Sequence, residues 1–109
     1  MGLAYLEDCV RARRKDANHK AVGDLLRELG WSVLDLAQHG ASVDYVVARL
    51  GWSALLEVKD GDKPPSARKL TPKERELRDN WQGPYIVALD PLDALTKLAT
   101  ERQKCVVLQ

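Results

Sequence analysis

The stretch that decides the fold runs Val43-Asp44-Tyr45-Val46-Val47-Ala48-Arg49-Leu50-Gly51-Trp52-Ser53-Ala54-Leu55-Leu56-Glu57-Val58-Lys59. Val43 to Leu50 and Ser53 to Lys59 are β-rich runs, and only Gly51-Trp52 lies between them. Two such runs joined by two residues read as a hairpin, and Gly at the first loop position suits a type II′ turn. With Gly51 and Trp52 as the loop, Leu50 faces Ser53, Val46 faces Glu57 and Asp44 faces Lys59. Side chains alternate between the faces of a strand. Asp44, Glu57 and Lys59 are therefore expected on one face, at the open end of the hairpin. The two carboxylates become diagonal neighbours, about 7 Å apart at the backbone.

Leu55, Leu56 and Val58 mark the second strand as buried, and charges there are tolerated only when paired or metal-bound. A purely structural reading pairs Lys59 with both acids, but one lysine cannot neutralise two carboxylates. The chemical reading uses all three. Two carboxylates are hard oxygen ligands of the kind Mg²⁺ prefers, with Mn²⁺ able to substitute. A lysine beside a metal-activated water can orient it and meet the charge that develops on a phosphoryl group.

Outward from the hairpin, residues 17 to 29 carry Ala21, Val22, Leu25, Leu26 and Leu29 at helical spacing, and Gly30 is placed to end that helix. Trp31 to Leu36 reads as a first strand, and Gln38, His39 and Gly40 form a polar turn. The chain before it, to about Lys15, is either a short helix or a loose basic arm. On the other side, Asp60 to Leu70 holds Gly, a Pro pair and Ser and is expected to be a loop. Thr71-Pro72-Lys73-Glu74 is a capping box with Pro at the first helical position, opening a helix to about Trp81. Gly83-Pro84 breaks it, and Tyr85 to Leu89 is a fourth strand. Asp90-Pro91 then opens a last helix with Leu92, Leu95 and Leu98 on its apolar face. Cys105 to Leu108 is an apolar tail whose shape the sequence leaves open. The order α-β-β-β-α-β-α predicts one α/β domain over residues 1–109, a mixed sheet flanked by helices, with strands three and four joined by a crossover helix.

The 109 residues have a net charge of +1 and are 45% hydrophobic, the composition of an ordinary soluble domain. No apolar run is long enough to span a membrane, and the chain opens without a signal-peptide pattern. Cys9 and Cys105 stand alone and far apart, which argues against a disulfide framework or a zinc site and for a reducing cytoplasm. No phosphate-cradling Gly loop or nucleophilic Ser or Cys constellation is present, and no small-molecule cofactor is expected. The distribution of charge says more than its sum. Arg11, Arg13, Arg14 and Lys15 cluster near the start with Lys20 close behind, and Lys63, Arg68, Lys69 and Lys73 punctuate the Pro-rich loop and the helix start. These clusters either solvate the surface or grip phosphates.

Val43-Asp44-Tyr45 followed by Leu56-Glu57-Val58-Lys59, on a hairpin behind a helix, resembles the PD-(D/E)XK nuclease superfamily. Within it the likeness is to the small archaeal-type Holliday junction resolvases, which some viruses also carry. It covers roughly residues 18 to 89, beginning with Asn18-His19-Lys20-Ala21-Val22 and Gly30-Trp31-Ser32-Val33. The resemblance implies a restriction-endonuclease-like core, with Asp44, Glu57 and the Val58 carbonyl as metal ligands and Lys59 as the catalytic lysine. Two positions depart from the pattern. Val43 stands where a Pro usually precedes the Asp, and His19 stands where the helix of the family carries Glu. His19 is expected on the side of Val22 and Leu26, either as a ligand of metal or water or as a satisfied core residue.

Arg13, Arg14, Lys15, Lys20, Lys63, Arg68 and Lys69 are the expected phosphate contacts, with Ser42 either a further contact or a turn residue. Trp31, Trp52 and Trp81 either stack on exposed bases or belong to core and interface. The implied activity is Mg²⁺-dependent DNA cleavage on four-way junctions. Two symmetric cuts from one active site per chain imply a homodimer, with Trp52 or the Cys105 to Leu108 tail as its apolar contact. Another structure-specific or nicking nuclease of the same fold is the alternative, and a non-catalytic DNA-binding module is a third.

Overall fold

A computed structural model describes residues 17–107. Helix α1 covers residues 17–28 among these and ends as expected. Gly30 takes a positive φ of 91°. The Trp31 N–H reaches back to the Leu26 carbonyl at 2.9 Å and the Gly30 N–H to the Arg27 carbonyl at 3.1 Å, the two bonds of a Schellman motif. Strands β1 (Ser32–Asp35), β2 (Tyr45–Arg49) and β3 (Trp52–Val58) follow, then α2 (Pro72–Asn80), β4 (Tyr85–Ala88) and α3 (Pro91–Val107). Short 3-10 turns at Ala37–His39 and Pro65–Arg68 interrupt the connections. The protein is α/β, with a four-stranded mixed sheet in the order β1-β2-β3-β4. The first three strands are antiparallel and β4 runs parallel to β3.

The hairpin register differs from the expectation. Arg49 pairs with Trp52 and Tyr45 with Leu56, so the loop residues are Leu50 and Gly51. Both have positive φ, 54° and 81°, the signature of a type I′ turn, here with Gly in the second position. Packing explains the shift. In this register Trp52 lies in β3 and meets Trp31 edge-on, with ring centroids 6.2 Å apart, over the core. In a Gly51-Trp52 loop the indole would sit in the turn. The register moved by two residues, so every side chain kept its face.

One face of the sheet carries Tyr45, Val47, Ala54, Leu56, Val58, Ile86 and Ala88, which form a single buried cluster with Val22 and Leu26 of α1 and Ala94 and Leu98 of α3. Gly23 is part of this contact. A Cβ there would stand 2.6 Å from the Tyr45 hydroxyl. The last helix turns slightly away from the expected face: Leu92 is 72% exposed and Ala94 is buried, because two residues is over half a turn of helix. The Cys105 to Leu108 tail resolves in part, since α3 continues through Val107. On the opposite face of the sheet stand Asp44, Glu57 and Tyr85, with Glu74 of α2 reaching them. Among the described residues no helix is long and apolar enough to cross a membrane.

Candidate active site

One step beyond the last β2–β3 pair, Asp44 stands directly opposite Glu57, closer than the diagonal placement expected from the sequence. The backbone there stitches the two acids together. The Asp44 N–H donates to Glu57 Oε2 at 3.1 Å, and the Val58 N–H donates to Asp44 Oδ2 at 2.8 Å. Both acids are buried, with 5% and 2% of their surface exposed. Lys59 leaves the end of β3 on the same side, anchored by its N–H to the Ala88 carbonyl at 2.8 Å. Its Nζ lies 3.8 Å from Glu57 Oε1 and much closer to Glu74, at 2.7 and 3.1 Å from the two carboxylate oxygens. The structural pairing of Lys59 with Asp44 and Glu57 is thus replaced by a pairing with Glu57 and Glu74.

Glu74 is the site residue that sequence reasoning missed. Its capping role was legible and is present: Thr71 Oγ1 accepts from the Glu74 N–H at 3.2 Å, and the Thr71 N–H donates to Glu74 Oε1 at 2.8 Å. That the same carboxylate also reaches Lys59 depends on how α2 lies across the sheet, which no local pattern encodes.

Two buried carboxylates, Glu57 and Glu74, therefore flank one ammonium with buried Asp44 beside Glu57, and the protonation of the two glutamates separates. Burial, the hydrogen bond to Glu74 and the charges of Asp44 and Glu74 push the Glu57 carboxyl up to about 9, against the pull of Lys59. Burial also works upward on Glu74, but its hydrogen bonds with Glu57, Lys59 and the Thr71 backbone outweigh that and hold it down to about 2. In the protein alone, the surplus of negative charge is relieved by a proton on Glu57. The Tyr85 phenol is raised by burial and then by the charges of Glu57, Glu74 and Asp44, and its buried hydroxyl has no hydrogen-bond partner among the described residues.

His19 closes the other side. Its Nε2 lies 3.2 Å from Asp35 Oδ2 and its Nδ1 lies 3.4 Å from Asp44 Oδ1. The ring stacks on Tyr45 with centroids 4.2 Å apart, and the Tyr45 hydroxyl donates to the His19 carbonyl at 2.7 Å. This is not the environment of an apolar core histidine: both ring nitrogens face carboxylates. Asp35 is a second residue the sequence did not single out. It ends β1, where the Ala37 N–H also donates to its Oδ1 at 3.1 Å, and its hydrogen-bonding role emerges only when β1 lies beside α1. Asn18 ties α1 to the end of the site, its amide donating to the Lys59 and Leu89 carbonyls at 3.0 and 3.1 Å.

The expected phosphate contacts are scattered. Lys20 is exposed on α1 and paired with Asp24. Ser42 is half-buried in the bend two residues before Asp44. Lys63 and Lys69 are exposed and Arg68 half-buried in the segment that joins Lys59 to α2, so this basic loop leads directly away from the site. Arg13, Arg14 and Lys15 lie outside the described residues. His39 is exposed in a 3-10 turn, and Trp81 is 44% exposed at the end of α2. Among the described residues no three His, Cys, Asp or Glu side chains are gathered as a ready-made metal cage. Comparison of the chain with protein-family models, with curated proteins and with solved structures found no match.

Proposed function

We propose that the protein is a Mg²⁺-dependent endonuclease of the PD-(D/E)XK type, with a restriction-endonuclease-like core, that cleaves DNA at four-way junctions. The observation that carries this reading is the buried pairing of Asp44 with Glu57 across the hairpin, with Lys59 just past the end of β3 on the same side. A buried site with more carboxylates than cations is costly unless something positive completes it. The donor set fits a hard divalent ion. Asp44 and Glu57 would hold it together with the Val58 carbonyl, and Mg²⁺ ordinarily retains several waters, which suits a site with few protein ligands. Mn²⁺ would serve in its place.

When bound, the ion supplies charge neutralisation for Asp44 and Glu57 and a more acidic water. The chain's own groups do the rest. Lys59 holds its ammonium beside the carboxylates, where it orients an attacking water and stabilises charge growing on the phosphoryl oxygens. His19, steadied by Asp35 and stacked on Tyr45, fixes one oxygen of Asp44. The Val58 N–H fixes the other. Lys63, Arg68 and Lys69, with Lys20, Ser42 and the basic residues Arg13, Arg14 and Lys15, supply phosphate contacts that are indifferent to sequence. A cytoplasmic setting belongs to the same proposal.

Junction resolution asks for two cuts and hence for two chains about a two-fold axis. Of the two apolar candidates for the contact, Trp52 is engaged by Trp31 and the core, which leaves the end of α3 and the residues after it. The test is cleavage of junction, flap, single-stranded and duplex DNA of matched sequence, with light scattering of the chain alone and with junction. Preferential cutting of the junction by a dimer is expected. Equal cutting of duplex and junction, or a monomer in both conditions, would leave a nuclease of the same fold acting on other DNA.

A further inference from the structure

Glu74 does more than cap a helix. A capping-box glutamate reaches back to one backbone N–H and has no need to leave water. This one is 8% exposed, and both its oxygens face the Lys59 ammonium, at 2.7 and 3.1 Å. Its Oε1 is fixed in turn by the Thr71 N–H at 2.8 Å. The Lys59 Nζ is 3.8 Å from Glu57 Oε1, so it stands beside that acid without a hydrogen bond to it. We infer that Glu74 is a positioning residue for Lys59, holding the ammonium at the edge of the Asp44–Glu57 pair and off the oxygens of Glu57. The inference rests on the reading of Lys59 as the catalytic lysine.

The physical argument is a competition. An ammonium on a flexible four-carbon stem settles on the nearest desolvated carboxylate. Without Glu74, the nearest is Glu57, and a lysine bonded there would occupy an oxygen that a divalent ion needs. Glu74 offers two oxygens at shorter range, from the first turn of α2. Lys59 is thereby held on the α2 side of Glu57. The glutamate of the capping box, which reads as a local device for starting α2, thereby also holds this arm of the site. Outer partners of this kind change activity or metal affinity by about 10- to 100-fold when removed.

The test uses the full chain and three variants. Glu74→Gln keeps the size and the acceptor for the Thr71 N–H but removes the charge; Glu74→Ala removes the group; Thr71→Ala weakens the cap and leaves the ion pair. Two readouts are taken. One is the proton–nitrogen signal of the Lys59 side-chain ammonium, which persists only when its protons are held from exchange with water. The other is Mg²⁺-dependent cleavage of junction DNA, split into kcat and KM. The signal is expected in the wild type and in Thr71→Ala, and lost in Glu74→Ala. Rates should fall in kcat by about 10- to 100-fold for Glu74→Gln, with KM little changed. Thr71→Ala should melt lower but cut at close to the wild-type rate. A retained signal in Glu74→Ala, wild-type kcat in Glu74→Gln, or equal losses in Thr71→Ala and Glu74→Gln would overturn the inference. A wild-type chain that cuts no DNA would instead overturn the nuclease reading, while the ammonium signal still decides whether Glu74 holds Lys59.

Discussion

The two faces of the central sheet obey opposite rules. The face under α1 and α3 is built mainly of hydrocarbon, with Val22, Leu26, Val47, Leu56, Ala94 and Leu98 all fully buried, and its polar groups, the Tyr45 hydroxyl and the His19–Asp35 pair, gather at one end. The other face, at the open end of the hairpin, buries Asp44 and Glu57, with buried Glu74 of α2 reaching Lys59 beside them. Successive residues of β3 fall on alternate sides, so Leu56 and Val58 feed the first face and Glu57 the second. The first face supplies folding free energy at roughly 25 cal/mol per Å² of apolar surface removed from water. The second consumes it, because buried carboxylates lose hydration that one lysine does not restore. The contrast can be broken or sharpened by substitution.

The largest effect on folding should come from the apolar face. Leu56→Ala is expected to lower unfolding free energy by about 2–5 kcal/mol in denaturant titration. A loss below about 1 kcal/mol would mean that the core relaxes around the hole and that the faces differ less than their composition suggests. On the polar face, His19→Ala should slow cleavage by about 10- to 100-fold, because Asp44 loses the partner on one oxygen. Because His19 also packs on Tyr45, rates should be compared per folded molecule. An unchanged rate beside a large fall in melting temperature would make His19 a structural residue.

A smaller effect follows from the Glu57 proton. Its folded-state pKa is raised to about 9, so its contribution to stability is complete below the ordinary carboxyl range and is lost as pH rises toward 9. Glu74, held down to about 2, acts with the opposite sign and only in acid. Between pH 5 and 9, therefore, the metal-free protein should weaken with rising pH through Glu57. A divalent ion that displaces the proton removes the penalty, so the rise in melting temperature on adding Mg²⁺ should grow over the same range. A rise independent of pH would show that the ion does not replace that proton. The smallest effect is expected of Glu57→Gln without metal. A neutral amide in place of a protonated carboxyl should change stability by less than about 1 kcal/mol, whereas removing one partner of a true buried ion pair costs about 3–5 kcal/mol.

Much of this was legible in the chain, for identifiable reasons. Gly30, the Thr71-Pro72-Lys73-Glu74 box and Gly83-Pro84 are local signals, and the helices and strands they bound are where the pattern puts them. Asp44, Glu57 and Lys59 fall on one face because strand alternation survives a register error of two. The register itself was not legible. It goes with Trp52 packing on Trp31, residues distant in sequence, and with Gly51 in the second rather than the first position of the turn. Glu74 and Asp35 escaped for the same reason. Each has a complete local explanation, as helix cap and strand end, and its second role exists only once α2 and α1 lie against the sheet.

On the proposed reading, the Asp44–Glu57–Lys59 cluster hydrolyses phosphodiesters with a divalent ion. The most direct test is Mg²⁺-dependent cleavage of junction DNA by the wild type and by Glu57→Gln, at equal concentrations of folded protein. The wild type should cut with Mg²⁺ and stop on chelation. Glu57→Gln, melting close to the wild type, should cut about 10² to 10⁴ times more slowly. Cleavage by Glu57→Gln at the wild-type rate, or cleavage that persists without divalent ions, would contradict the account.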